Sequence, residues 1–111
     1  MTRPETLLPQ LQALANPVRL WIIAELQRSG AQYVSELARA AGISRPLLKM
    51  HLRKLEDAGL VTSAVGTAEN GKAANFFQIV PFDLSLTPDA IAEAGDMARP
   101  HATRKDGDQD A

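Results

Sequence analysis

Four cations within ten residues, Arg45, Lys49, Arg53 and Lys54, offer this chain's clearest chemistry, and their spacing narrows what that chemistry is. Arg45, Lys49 and Arg53 recur every fourth residue, so on a helix turning by about 100° per residue they form one stripe. Pro46, Met50 and Lys54 lie on the face beyond it, with Met50 and Leu47 interleaving apolar surface among the charges. Arginine and lysine bind phosphate or pair with guanine edges, and apolar side chains touch the thymine methyl in a major groove. Most basic helix faces are merely solvated, and this one taken alone would be read so. Its position reverses that reading.

The elements that must hold the stripe can be read around it. Leu48, Leu52 and Leu55 repeat at i, i+4 and i+7, roughly 90° round from the cations, and should face a core. Ser44 suits an N-cap, and Pro46 falls in the first turn, where a missing amide hydrogen loses no bond. A helix is therefore expected from Arg45 to about Ala58, closed by Gly59. Before it, Leu37, Ala38 and Ala41 mark a shorter helix that runs out at Gly42, a residue suited to positive φ, and Ile43 crosses to the core. Two short helices joined by a glycine-containing turn read as a helix-turn-helix, with the cations at the start of the second helix, where such folds present residues to base edges. Glu56 and Asp57 come only at its far end, which should point away from phosphate.

Beyond Gly59 the period changes. Leu60 to Val65 and Ala74 to Val80 read as strands, and between them Gly66 to Ala73 contains Asn70-Gly71, the strongest dipeptide for a tight β-turn because both residues tolerate positive φ. A hairpin directly after such a helix reads as a wing, with Lys72 at its tip placed to meet phosphate or reach toward a minor groove. It reads equally as a plain hairpin with Lys72 solvated.

Three segments together resemble the ArsR-type winged-helix transcriptional regulators. They are ALANPVRLWIIAEL from Ala13 to Leu26, with its Asn-Pro-x-Arg helix start; SELARAAGISRPLLKMHLRKLEDAGLV from Ser35 to Val61; and the Asn70-Gly71-Lys72 hairpin. The resemblance implies a homodimer that binds double-stranded DNA at a palindromic operator, usually as a repressor. It places DNA contacts at Ser44, Arg45, Pro46, Lys49, Met50 and Arg53, with wing contacts around Lys72. Pro46, Lys49 and Met50 replace the small or polar residues often seen there, so the operator should differ from those of well-studied members. His51 matches a recurrent position, but its angle lies near the core stripe, so a buried, hydrogen-bonded histidine is favoured over a base contact.

Many members of that family sense metals or oxidants through cysteine pairs, and this chain has no cysteine. Thiolate metal capture and disulfide switching are therefore unavailable. Asp89, Glu93, Asp96 and His101 would be needed for a C-terminal metal site, yet acidic residues on a polar helix face are usually just solvated. No metal and no cofactor are expected. There is no arrangement of nucleophile, base and orienting residue, so the chain is not read as an enzyme, and Trp21 and Tyr33 look like core aromatics at helix junctions.

A length of 111 residues makes one small domain the default, with a core modest enough for dimerisation to help. Neither an 18-residue apolar run nor a signal-peptide core is present, and a soluble, cytoplasmic protein is expected. The net charge of −1 looks wrong for a DNA binder until it is divided along the chain. Residues 1–27 carry two basic and two acidic groups, residues 28–82 seven and four, and residues 83–111 three and seven. The positive patch is local, and local potential is what phosphate meets.

The expected fold is mainly α with a small β-hairpin (α+β), a winged helix-turn-helix over residues 6–82. Leu7, Leu8, Leu11 and Leu14 form an apolar stripe on a leading helix from Thr6 to Ala15, more than a short helix needs unless something covers it. Thr87 and Pro88 open a terminal helix to about Ala98, with Ile91 and Ala94 on one side and Met97 or Ala98 continuing it. In the resembling family the first and last helices pair across a two-fold axis, so residues 83–98 are read as a dimerisation helix and these leucines, Ile91 and Ala94 as the interface. Packing of the stripe on its own domain is the other reading. Residues 99–111 are polar and without periodicity, and read as a disordered tail. The leading function is a sequence-specific, homodimeric repressor using helix 45–58 in the major groove and hairpin 66–73 as wing; the alternatives are a winged-helix module binding an acidic protein partner, or a nonspecific chromosome-binding protein.

Overall fold

The computed structural model describes residues 4–94. Expectations for residues 95–111, including Asp96, Met97, Ala98, His101 and the polar tail, lie outside the described residues. Five helices and three strands follow in the order α1 (Pro4–Leu14), α2 (Pro17–Ser29), β1 (Gln32–Tyr33), α3 (Val34–Ala41), α4 (Arg45–Asp57), β2 (Val61–Thr67), β3 (Ala73–Ile79) and α5 (Pro88–Glu93). The chain divides into a main unit, Pro9–Phe82, and a smaller one, of which residues 4–8 and 83–94 are described.

Local chemistry sets the ends of the helices in the main unit. Asn16 caps α2 by accepting the Arg19 amide at 3.0 Å, and Pro17 opens the helix behind it. α3 stops at Gly42, whose left-handed φ of 72° lets the amides of Gly42 and Ile43 turn back to the carbonyls of Arg39 and Ala38. The same pair of bonds closes α4, from Gly59 to Glu56 and from Leu60 to Leu55. Each closure throws the following residue inward: Ile43 packs partly buried on the core and Leu60 is fully buried.

The core gathers Ala13, Ile22, Leu26, Leu37, Ala38, Leu48, Leu52, Leu55, Leu60, Val61 and Phe77. All three leucines of the α4 stripe are buried, as their spacing requires. Full burial of a leucine contributes about 1.5–3 kcal/mol, so the stripe fixes α4 firmly in rotation.

The sheet has three antiparallel strands in the order β1-β3-β2, one more than the hairpin read from the sequence. β1 is only two residues long and pairs Gln32 with Phe77 and Tyr33 with Phe76. Two residues display no periodicity, so tertiary pairing alone defines this strand. Tyr33 and Phe76, directly opposite each other, meet edge-to-face with ring centroids 5.3 Å apart. Tyr33 thus sits at a strand-to-helix junction, whereas Trp21 lies within α2, half-buried against the core.

The hairpin also corrects the expected turn. Only Gly71 takes positive φ, at 82°, and Asn70 does not. Thr67 pairs with Ala73, and Ala68 bonds Lys72 across a three-residue loop, Glu69-Asn70-Gly71, in which the Gly71 amide donates to Ala68. This is a turn followed by a left-handed glycine, the pattern of three-residue hairpins, rather than a two-residue Asn-Gly turn. Asn70 acts through its side chain instead, whose Oδ1 accepts the Lys72 amide at 3.0 Å.

In the smaller unit, Thr87 caps α5 by accepting the Ala90 amide at 3.0 Å and Pro88 follows at the first helical position, as expected. The described helix spans Pro88–Glu93, and the expected continuation to Ala98 lies outside the described residues. Leu7 and Ala94 are buried, whereas Leu86 and Ile91 are exposed. Among the described residues no helix is long and apolar enough to cross a membrane.

Candidate nucleic-acid interface

The buried leucine stripe of α4 dictates what its other side shows. With Leu48, Leu52 and Leu55 turned inward, Arg45, Pro46, Leu47, Lys49, Met50, Arg53 and Lys54 are all exposed. Ser44 caps the helix, its Oγ accepting the Leu47 amide at 3.3 Å. A hydroxyl that accepts here still has its own proton to donate, so Ser44 keeps a donor for phosphate at the helix start.

Arg45 and Lys49 do not stand alone. They line one groove of about 400 Å³ together with Lys72 of the hairpin tip, and Tyr33, Ser35 and Asn75 contribute to its walls. Three cations from two elements far apart in sequence thus border a single concavity. Among the described residues none of the three forms an ion pair, whereas Arg28 pairs with Glu25 at 3.3 Å on α2. Pro46, Met50 and Arg53 border a second hollow that shares Lys49 with the first.

Lys54 departs from this group. It borders a recess with Gln12, Ala13, Arg19 and Asp57 on the side of α4 that meets the end of α1. The helical angle placed Lys54 near Met50, but the groove shared with Lys72 lies on the other flank. At the far end of α4, Glu56 accepts a hydrogen bond from Ser63 of β2 at 3.0 Å, so this carboxylate fastens helix to sheet.

His51 is buried, as its position near the core stripe implies. Its Nδ1 stands 3.0 Å from Nη1 of Arg19. A guanidinium can only donate, so the ring nitrogen accepts and the histidine is neutral. Desolvation by burial, then the charges of Arg19 and Lys54, holds its pKa below the usual histidine value.

Arg19 is the residue that sequence reasoning missed. Besides His51, its Nε donates to the Ala13 carbonyl at 2.6 Å and its Nη2 reaches the Gln12 carbonyl at 3.5 Å, so it satisfies the last turn of α1 and links it to α4. The Asn-Pro-x-Arg start of α2 was the available signal, since it places this arginine beside the preceding helix end.

The six residues expected at a dimer interface fall into three groups. Leu7 and Ala94 are buried within one chain, Leu11 and Leu14 are half-buried, and Leu8 and Ile91 are 45% and 49% exposed. Leu14 packs partly on the core of the main unit. Among the described residues no three His, Asp or Glu side chains gather into a group that could hold a metal ion.

Comparison with known proteins bears on this geometry. Residues 14–64 match the helix-turn-helix domain family, a span running from the end of α1 into β2. The chain is 35% identical over 80 residues to the uncharacterized HTH-type transcriptional regulator MJ0229 of Methanocaldococcus jannaschii, covering 72% of this chain and 82% of that one. It is 35% identical over 89 residues to the HTH-type transcriptional repressor SmtB of Mycobacterium tuberculosis, covering 79% of this chain but only 62% of that longer relative. The homodimeric winged helix-turn-helix DNA-binding domain Mb0332 of Mycobacterium bovis, a possible ArsR-family regulator, shares the fold. It superposes with a TM-score of 0.58 at 18% identity, over 96% of this chain and 89% of that one.

Proposed function

The chain belongs to the ArsR-type winged helix-turn-helix family and is a DNA-binding transcriptional regulator, and from that premise we propose that it is a homodimeric repressor that reads a palindromic operator. α4 enters the major groove, with Arg45, Lys49 and Arg53 directed to base edges and phosphates and Ser44 donating to phosphate at the helix start. The hairpin acts as the wing, and its Lys72 grips the backbone beside the helix. Lys54, on the opposite flank, meets phosphate on the far side of the groove or adds only to the local potential.

The observation that carries this reading is the groove bordered jointly by Arg45, Lys49 and Lys72. A solvated helix face needs no partner from another element, whereas a phosphate backbone crossing between helix and wing calls for cations on both sides. Dimerisation follows the Mycobacterium bovis domain, itself homodimeric. The exposed Leu8 and Ile91 and the half-buried Leu11 and Leu14 supply apolar side chains for it, while Leu7 and Ala94 are buried within one chain. Two α4 helices then fall in successive major grooves about 34 Å apart. Occupancy of a promoter by the dimer blocks transcription in the cytoplasm, in line with the name of the mycobacterial relative as a repressor.

Selection of bound duplexes from a random DNA pool tests the proposal, with sedimentation of the free and bound protein alongside. The expected result is a palindromic motif with half-sites one helical turn apart, bound by two chains at least about a thousandfold more tightly than scrambled DNA. Equal affinity for all duplexes would instead identify a nonspecific chromosome binder, and absence of DNA binding a protein-docking module.

A further inference from the structure

On the reading that α4 enters the major groove, we infer that Pro46 and Met50 form a methyl-reading hollow, which makes a thymine next to the cation-contacted bases part of each operator half-site. The two residues stand one turn apart on α4, roughly 160° round from the buried leucine stripe at about 100° per residue, so they occupy the outermost line of the helix. Met50 is 41% exposed. Together with Lys49 and Arg53 they line a hollow of about 370 Å³, which thus combines two apolar side chains with two cations.

That combination matches one surface of B-DNA. The outermost line of a helix laid in the major groove comes closest to the base edges, and the single apolar group displayed there is the C5-methyl of thymine. The flanking cations fit what surrounds such a methyl, either a guanine edge or a phosphate. Proline and methionine offer no hydrogen-bond donor to a base, so this pair selects by excluding water from a methyl. Methionine, unbranched and polarisable, adapts its side chain to do so. Leu47, on the flank away from Arg45, Lys49 and Arg53 at about 100° per residue, is 42% exposed and adds apolar surface.

The test alters the DNA before it alters the protein. In the duplex enriched by selection, each thymine of one half-site is replaced in turn by deoxyuridine, which deletes only the methyl, and affinity for the full chain is measured by fluorescence anisotropy. One or two positions per half-site should lose about fourfold, equivalent to about 0.8 kcal/mol for a buried methyl-sized group. In Met50→Ala, with an unchanged circular dichroism spectrum, the penalty at the same positions should fall below about twofold. Pro46→Ala should lower it less. Tolerance of deoxyuridine at every position, a penalty undiminished in both variants, or half-sites without thymine would overturn the inference while leaving a sequence-specific regulator in place. Failure to enrich any duplex would overturn that broader reading as well.

Discussion

The helix α4 and the hairpin β2–β3 both present cations to the same groove, but they are held in different ways. α4 is fixed along its length by Leu48, Leu52 and Leu55, each no more than 1% exposed, and at its ends by the Ser44 cap and the bonds around Gly59. Arg19 adds a link through His51. The hairpin is anchored at its base, where Val61 and Phe77 are buried, and farther out it depends on its ladder and on the Tyr33–Phe76 contact, with Val65 75% exposed. The difference corresponds to two tasks. Reading base edges demands placement within a fraction of an ångström, whereas following phosphate demands charge at a reachable distance.

Substitutions that strike the anchoring should separate the two elements most widely. Leu52→Ala should cost about 2–5 kcal/mol in urea denaturation. Val65→Ala, at an exposed wing position, should stay within about 0.5 kcal/mol. Comparable losses would mean that the hairpin is as deeply anchored as the helix.

The cations sharpen the contrast at the level of binding. Arg45→Ala should lose about 1–3 kcal/mol on the selected operator and relax preference at one base position. Lys72→Ala should weaken operator and scrambled DNA alike, and reduce the slope of log affinity against log salt by about one. An exchange of these two behaviours would reverse the assignment of tasks.

The caps differ in the same direction by a smaller amount. Ser44→Ala removes the side-chain acceptor at the start of α4 and should cost about 1 kcal/mol of thermal stability. Asn70→Ala removes the bond to the Lys72 amide in an exposed loop and should cost less in the same assay.

The smallest expected effect is a pH dependence confined to the helical layer. Because the folded pKa of His51 is lowered from 6.5, the unfolded chain takes up a proton first as pH falls. The stability this adds is present above about pH 6.5 and is lost progressively below it. Comparing denaturation at pH 7.5 and 5.5 should show a smaller acid loss in His51→Gln, whose amide oxygen can still accept from Arg19. An equal loss would show that other groups dominate.

What the sequence disclosed follows the same division. The limits of α4 were legible because a cap, a proline, a leucine repeat and a closing glycine all act within the sixteen residues from Ser44 to Gly59. α5 began where Thr87-Pro88 indicated. β1 was not legible, since its two residues become a strand only by pairing with Phe76 and Phe77, more than forty positions away. The turn type was misread because Asn70 works through its side chain and Gly71 alone takes the left-handed conformation. The site showed a similar split: the cation stripe was plain, but its convergence with Lys72, the turning away of Lys54 and the bond between Arg19 and His51, 32 residues apart, depend on how elements pack. Similarly, helical spacing marked Leu7, Leu8 and Ile91 as apolar without showing that Leu7 is buried while the other two are exposed.

Dimethyl sulfate protection on the selected operator tests most directly that α4 reads bases while the hairpin grips the backbone, since the reagent methylates guanine N7 in the major groove. Protected guanines should fall in two patches about one helical turn apart. Arg45→Ala should uncover specific guanines within each patch, and Lys72→Ala should preserve the pattern at saturating protein. Guanines that stay fully reactive in the bound complex, or a pattern insensitive to Arg45→Ala and erased by Lys72→Ala, would contradict the account.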